Sequence, residues 1–140
     1  MTKSLILDSS VIVKWLNDQN ESNLLPADLL LKNTVEKKIV CFAPELAKYE
    51  IGNALSVGKK LKPYQVKACL SVLYSLPITF VPETSHLSHV TADLVSSHHL
   101  TYYDASFLAL TQDLDAVLVT DNIKHQKHPK IKVISLVDYQ

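Results

Sequence analysis

Glycine is scarce in this chain of 140 residues: only Gly52 and Gly58 occur. Phosphate-cradling loops and dinucleotide fingerprints need several glycines in close succession, so function does not rest on such a loop. No charge surplus exists either, because Lys+Arg and Asp+Glu both number 14. Bulk charge therefore does not point to a strongly basic nucleic-acid binder. The densest basic patch is Lys59, Lys60 and Lys62, with Lys67 nearby. Cysteine is limited to Cys41, in an apolar strand-like run, and Cys69, on a helical pattern. Both read as buried free thiols, which suits a reducing cytosol. The opening apolar run is short and broken by Asp8, so neither a signal peptide nor a membrane span is expected. His86 and His89 lie three apart on an expected helix, but no third ligand stands at zinc-like spacing, so they read as surface residues. His98, His99, His125 and His128 read as exposed loop residues.

What the chain does have is apolar content, 47%. Its length favours one domain over residues 1–140. A domain of that size buries about two-thirds of the surface its unfolded chain exposes. Residues 3–8 read as a first strand, followed by a helix at about 10–17 with Ser9 or Ser10 as N-cap and Val11, Ile12 and Trp15 on its inner face. Helical spacing returns over 24–38 through Leu25, Leu29, Thr34 and Lys38, with Pro26 in the first turn. Residues 39–43 are β-branched and aromatic, a second strand. Pro44 is expected to open a helix that carries Glu45, Glu50 and Asn53 and ends near Gly58. Pro63 starts another helix, with Val66, Leu70 and Leu73 on one side, and Pro77 ends it. A strand at 78–81, a helix at 84–98 and a helix from about Asp104 to Leu114 follow. Residues 116–120 read as a fourth strand, 123–130 as a polar stretch, and 130–136 as a fifth strand. Strands alternating with helices predict a mostly parallel sheet covered on both faces.

Parallel strands bring their carboxyl ends to one edge, where open α/β sheets bind ligands. Asp8 ends the first strand and Asp121 the fourth, so both should reach that edge. Asp104 begins a helix, whose free N–H groups favour a carboxylate. Glu50 sits close to an apolar helix face among Ile51, Ala54 and Leu55, and so needs a partner, a cation or a buried lysine. Carboxylates gathered at one spot repel until a hard divalent cation such as Mg²⁺ or Mn²⁺ neutralises them. The natural chemistry of such a site is hydrolysis of a phosphate ester by activated water. Whether one ion or two would bind is left open.

Four segments carry a resemblance. Leu7-Asp8-Ser9-Ser10, Pro44-Glu45-Leu46 with Glu50-Ile51-Gly52-Asn53-Ala54-Leu55, Thr101-Tyr102-Tyr103-Asp104-Ala105 with Leu108-Ala109-Leu110, and Leu118-Val119-Thr120-Asp121-Asn122 occur in order and spaced along nearly the whole chain. In this the sequence resembles the PIN-domain ribonucleases, and more narrowly the VapC-type toxins of toxin–antitoxin pairs. The resemblance implies a three-layer α/β/α fold whose five-stranded sheet has the order 3-2-1-4-5. It implies a Mg²⁺- or Mn²⁺-dependent endoribonuclease, cytoplasmic, a homodimer, acting on RNA and held by a VapB-type antitoxin. By the same resemblance Asp8, Glu50, Asp104 and Asp121 are the catalytic and metal-holding acids. Ser9, Ser10, Asn53, Thr120 and Asn122 support them. One departure stands out: the family's fourth acid falls two residues after the threonine, at Asn122, while the acid present is Asp121. That departure motivates a second reading, a catalytically weak or inactive RNA- or protein-binding module. Haloacid-dehalogenase-like phosphatases fit less well, since their second aspartate would stand where Ser10 is.

Among other residues, Trp15 is expected in the core or a dimer contact, and Glu45 as a surface acid at a helix start. One of Tyr102 and Tyr103 is expected to pack beneath Asp104, although either ring could stack on a base. The lysines at 124, 127 and 130 belong to a solvated loop that could touch phosphate.

Overall fold

A computed structural model describes residues 2–140. Strand β1 (Lys3–Leu7) leads into α1 (Ser9–Leu16) and α2 (Leu24–Val35), then β2 (Ile39–Pro44). Helix α3 (Leu46–Asn53) runs on into a π-helical turn, Ala54–Gly58. After it come α4 (Pro63–Ser75), β3 (Ile78–Val81), α5 (Ser85–His98), α6 (Tyr102–Asp113) and β4 (Val117–Thr120). A short α7 (Ile123–Gln126), β5 (Val133–Ser135) and a 3₁₀ turn, Leu136–Asp138, complete the chain.

The sheet has the order β3-β2-β1-β4-β5, as expected, and every pairing is parallel. Leu5, Ile6 and Leu7 on β1 are all fully buried. Successive residues point to opposite faces, so this central strand is covered on both sides, as parallel sheets require. Helix α6 packs across β1, β2 and β4 with α5 beside it, and α1 packs with α2, α3 and α4. Phe107, Leu108 and Ala109 of α6 are fully buried. Leu7 lies opposite Val119, so the ends of β1 and β4 stand side by side and Asp8 and Asp121 share an edge.

Several local expectations give way. The N-cap of α1 is Asp8, whose carboxylate accepts from the Ser10 N–H, and neither Ser9 nor Ser10 fills that role. Pro44 ends β2 opposite Val81 and opens no helix: lacking an N–H, it is tolerated at a strand end. On α2 the inner face is Ala27, Leu30 and Thr34, while Leu25 is 83% exposed and Leu29 also reaches solvent. The leucine-rich run 29–31 fits several helical phases, and packing selects one. The stretch 123–130 holds a four-residue helix too short to show a period, and the fifth strand is only three residues. Trp15 is half-buried, its indole N–H donating to the Ala27 carbonyl at 2.8 Å.

Cys41 is buried on β2 and Cys69 half-buried on α4; both are free. Burial pushes the Cys41 thiol up to about 11, with the nearby Thr34 hydroxyl at 3.3 Å pulling the other way. The thiolate is the reactive form. Cys41 in the folded chain should therefore resist iodoacetamide at pH 8 and label quickly in denaturant, as read by mass spectrometry. Equal labelling in both conditions would show that the thiol is accessible and ionised.

Candidate metal-dependent active site

The acids converge from three elements. Asp8, 7% exposed, leaves β1 at the sheet edge, and its backbone N–H donates to the Val119 carbonyl at 3.0 Å. Its Oδ2 accepts from the Ser10 N–H at 3.1 Å and from the Ser10 hydroxyl at 2.5 Å. Its Oδ1 accepts from Gln126 Nε2 at 3.0 Å. Glu50 comes from the second turn of α3, and its Oε1 accepts from the Ser9 hydroxyl at 2.7 Å. Its hydrogen-bond partner is thus a hydroxyl, and among the described residues no lysine pairs with it. Asp104 stands in the first turn of α6, where the Thr101 hydroxyl caps its N–H at 3.0 Å.

These carboxylates feel one another. Burial pushes Glu50 above its ordinary value of 4.5, the Ser9 hydrogen bond pulls it down, and repulsion from Asp8 and Asp104 adds to the rise. Burial likewise raises Asp104 above 3.8, with the Thr101 hydrogen bond opposing, Asp8 adding to the rise and His125 reducing it. Neither Glu50 nor Asp104 has a salt-bridge partner among the described residues. The site therefore carries negative charge that nothing in those residues neutralises, which is what a divalent cation relieves. Among the described residues no three His, Cys, Asp or Glu side chains stand close enough to hold an ion by themselves. Mg²⁺ uses few protein carboxylates and keeps several waters, so it does not need a closed cage. The donors are all oxygens, and the buried Gln126 Oε1 has no hydrogen-bond partner. An oxygen set with an orphaned carbonyl suits a hard cation, so the residues fit Mg²⁺ or Mn²⁺.

Asp121 is placed differently. Its backbone N–H donates to Ser10 Oγ at 3.0 Å, so one hydroxyl bridges the ends of β1 and β4. Its carboxylate turns to Lys14, with Oδ2 2.9 Å from Nζ, and its Oδ1 accepts from Asn23 Nδ2 at 3.0 Å. Asn23 has a left-handed backbone, φ 54°, a conformation asparagine tolerates better than most residues. Thr120 is buried, its hydroxyl accepting from the Asn122 N–H at 3.0 Å, while Asn122 itself is exposed. Asn53 is exposed and lines an open groove of about 570 Å³ with Leu46, Tyr49, Glu50, Ala54 and Tyr103.

Gln126 was not legible as a site residue. Only its place on α7 carries it back to Asp8, a contact across 118 positions. Other expectations shift too. Lys59 turns inward, to Glu21 and to the carbonyls of Asn17 and Gln19, so it leaves the basic patch. His128 is half-buried against His98, ring centroids 4.0 Å apart, and is not a free loop residue. Tyr102 and Tyr103 are both exposed, so neither packs beneath Asp104. Tyr102 donates to Glu83 at 2.9 Å. Glu45 pairs with Lys48 at 2.9 Å, and His86 with Asp113 at 3.3 Å.

The all-parallel 3-2-1-4-5 sheet, with acids from β1, α3 and α6 at its carboxyl edge, is the PIN-like α/β fold. The sequence is similar to ribonuclease VapC1 of Mycobacterium tuberculosis, 29% identical over 118 residues, covering 82% of this chain and 83% of that protein. No protein-family model matches the chain. VapBC2 from Rickettsia felis, solved bound to a DNA fragment from its promoter, superimposes with a TM-score of 0.69 at 19% identity, covering 94% of this chain and 98% of that one. VapC20 of Mycobacterium tuberculosis, a sarcin–ricin-loop-cleaving toxin, superimposes with a TM-score of 0.63 at 14% identity, covering 80% and 84%.

Proposed function

We propose that this chain, as one PIN-like domain over residues 1–140, is an endoribonuclease that hydrolyses RNA phosphodiester bonds with Mg²⁺ or Mn²⁺, and is the toxin of a VapBC-type pair. The observation that carries the reading is the convergence of Asp8, Glu50 and Asp104 at the edge where β1 ends, with no salt bridge to Glu50 or Asp104 among the described residues. The similarity to a protein named as a VapC ribonuclease supports it. When bound, the cation activates water and offsets charge developing on the phosphate. Asp8, Glu50 and Asp104 would hold it. Ser10 and Gln126 fix Asp8 from two sides, and Ser9 orients Glu50. Asp121 meets Asp8 through the Ser10 hydroxyl that both bond, with Thr120 and Asn122 shaping the loop beside it. The groove along Tyr49, Glu50, Asn53 and Tyr103 takes the RNA strand, the tyrosine rings stacking on bases. Every one of the 14 basic residues is lysine, so no arginine is present to clamp the phosphate. That leaves the cation as the main counter-charge in the transition state.

A VapB-type antitoxin, a homodimer and a cytoplasmic location accompany this reading. Solved neighbours named as VapBC or toxin–antitoxin complexes support the partner. Among the described residues no helix is long and apolar enough to cross a membrane. The test is cleavage of RNA by purified protein with Mn²⁺ and with EDTA. Cleavage is expected with the ion, absent with chelator and restored by added Mn²⁺. Cleavage that persists in EDTA contradicts the metal requirement. No cleavage under any condition favours the second reading, a binding module, for which the engagement of Asp121 by Lys14 speaks.

Gln126→Ala offers a finer check. It removes the donor on Asp8 Oδ1 and leaves that oxygen buried and unpaired, at a cost of about 1–3 kcal/mol. Groups that orient a ligand typically cost about ten- to a hundredfold in affinity or activity when removed. Cleavage should fall by that order in Gln126→Ala, with Mn²⁺ affinity falling alongside. Unchanged cleavage would show that Ser10 alone orients Asp8.

A further inference from the structure

The chain places a cation of its own on Asp121, at the end of the neighbouring strand. Lys14 lies on α1 with its side chain 1% exposed. Its Nζ is 2.9 Å from both Glu21 Oε1 and Asp121 Oδ2, and it donates to the Ser22 carbonyl at 2.8 Å. Burial disfavours the ammonium, but the bonds to Glu21 and Asp121 more than offset it, so Lys14 stays charged. Glu21 is held from its other oxygen by Lys59 at 2.9 Å. Asp121 is thereby engaged at both oxygens, one on Lys14 and the other on Asn23. Yet its backbone is only the Ser10 hydroxyl away from Asp8. The next position, Asn122, brings no charge. The negative charge of Asp121 is therefore already neutralised from inside the protein.

We propose that the Lys14 ammonium takes the place of a second metal ion, so that the site holds a single divalent cation on the Asp8, Glu50 and Asp104 side and none on Asp121. The proposal rests on the metal reading given above and adds the stoichiometry to it. Two carboxylates that share an ammonium are poor ligands for a further cation, because the ion would have to displace a charge the fold has already placed.

Mn²⁺ titrated into the purified chain, followed by calorimetry and by the paramagnetic resonance of free Mn²⁺, reads the stoichiometry without RNA. One ion per chain is expected. Asp121→Asn should still bind one ion, and Asp104→Asn should lose it. Lys14→Met keeps most of the side-chain volume and removes the charge, and it should gain a second ion. Two ions in the unsubstituted chain, loss of the ion in Asp121→Asn, or a single ion in folded Lys14→Met overturns the proposal. Should Lys14→Met not fold, the first two measurements decide. No bound ion in the unsubstituted chain overturns the metal reading itself, a failure distinct from the wrong count.

Discussion

Asp8→Asn is expected to lower RNA cleavage by about a thousandfold, while unfolding free energy stays within about 1 kcal/mol of the parent. The two halves have separate causes. Cleavage falls because the substitution removes one charge from a set whose repulsion is what draws a cation. Stability survives because the local hydrogen bonds can be remade. Asp8 Oδ2 accepts from Ser10, and a new amide carbonyl can do the same. The other side meets Gln126 Nε2, where an amide N–H would face a donor. Rotating the Gln126 amide by half a turn presents Oε1, which lacks a partner in the parent, and turns the clash into a bond. Asp104→Asn should lose cleavage as well and keep its fold, since the Thr101 cap on its backbone N–H survives the exchange. Urea unfolding beside an RNA cleavage assay separates the outcomes. Full activity in both variants would remove these acids from the chemistry. Lost activity with lost fold would make Asp8 a structural residue.

Much of this was legible because strand signals and acids coincide. Val117-Leu118-Val119-Thr120 and Leu5-Ile6-Leu7 are short apolar runs that each stop at a polar residue, so their parallel pairing places Asp8 and Asp121 on one edge before any coordinates are known. Glu50 was legible as a partly buried acid because Ile51 on α3 and Leu55 in the turn after it fix which face is inward. Pro44 misled because proline serves equally well as a strand end and a helix start, and only its pairing to Val81 decides. Gln126 could not be found: a four-residue helix has no period, and an uncharged side chain gives no reason to expect an acid opposite. Asp121 shows a further limit. Its position was right, but the direction of its carboxylate depends on Lys14, which reads in sequence as one polar residue on an apolar helix.

Lys14→Ala should produce the largest loss of stability of any exchange near the site, about 3 kcal/mol, or roughly 10 °C in Tm. Removing one member of a buried ionic group leaves its partners uncompensated, typically at about 3–5 kcal/mol. The lower end applies because Asp121 and Glu21 keep 21% and 17% of their side-chain surface exposed and Glu21 retains Lys59. Added salt should restore little of the loss, since the ammonium is almost wholly shielded from solvent. The pH dependence has a definite sign. The folded-state pKa of Lys14 lies above its ordinary 10.5, so its contribution is complete below that pH and is lost as pH rises through the folded value. Parent and variant should therefore differ fully at neutral pH and converge only in strong alkali. Combining Lys14→Ala with Asp121→Asn should recover part of the stability, because the second exchange removes the carboxylate that the first left bare. The resulting coupling should be about 1 kcal/mol or more, as for residues in direct contact. Strict additivity in this double-mutant cycle would mean that Asp121 does not depend on Lys14, and the argument for a protein-supplied counter-charge would fail with it.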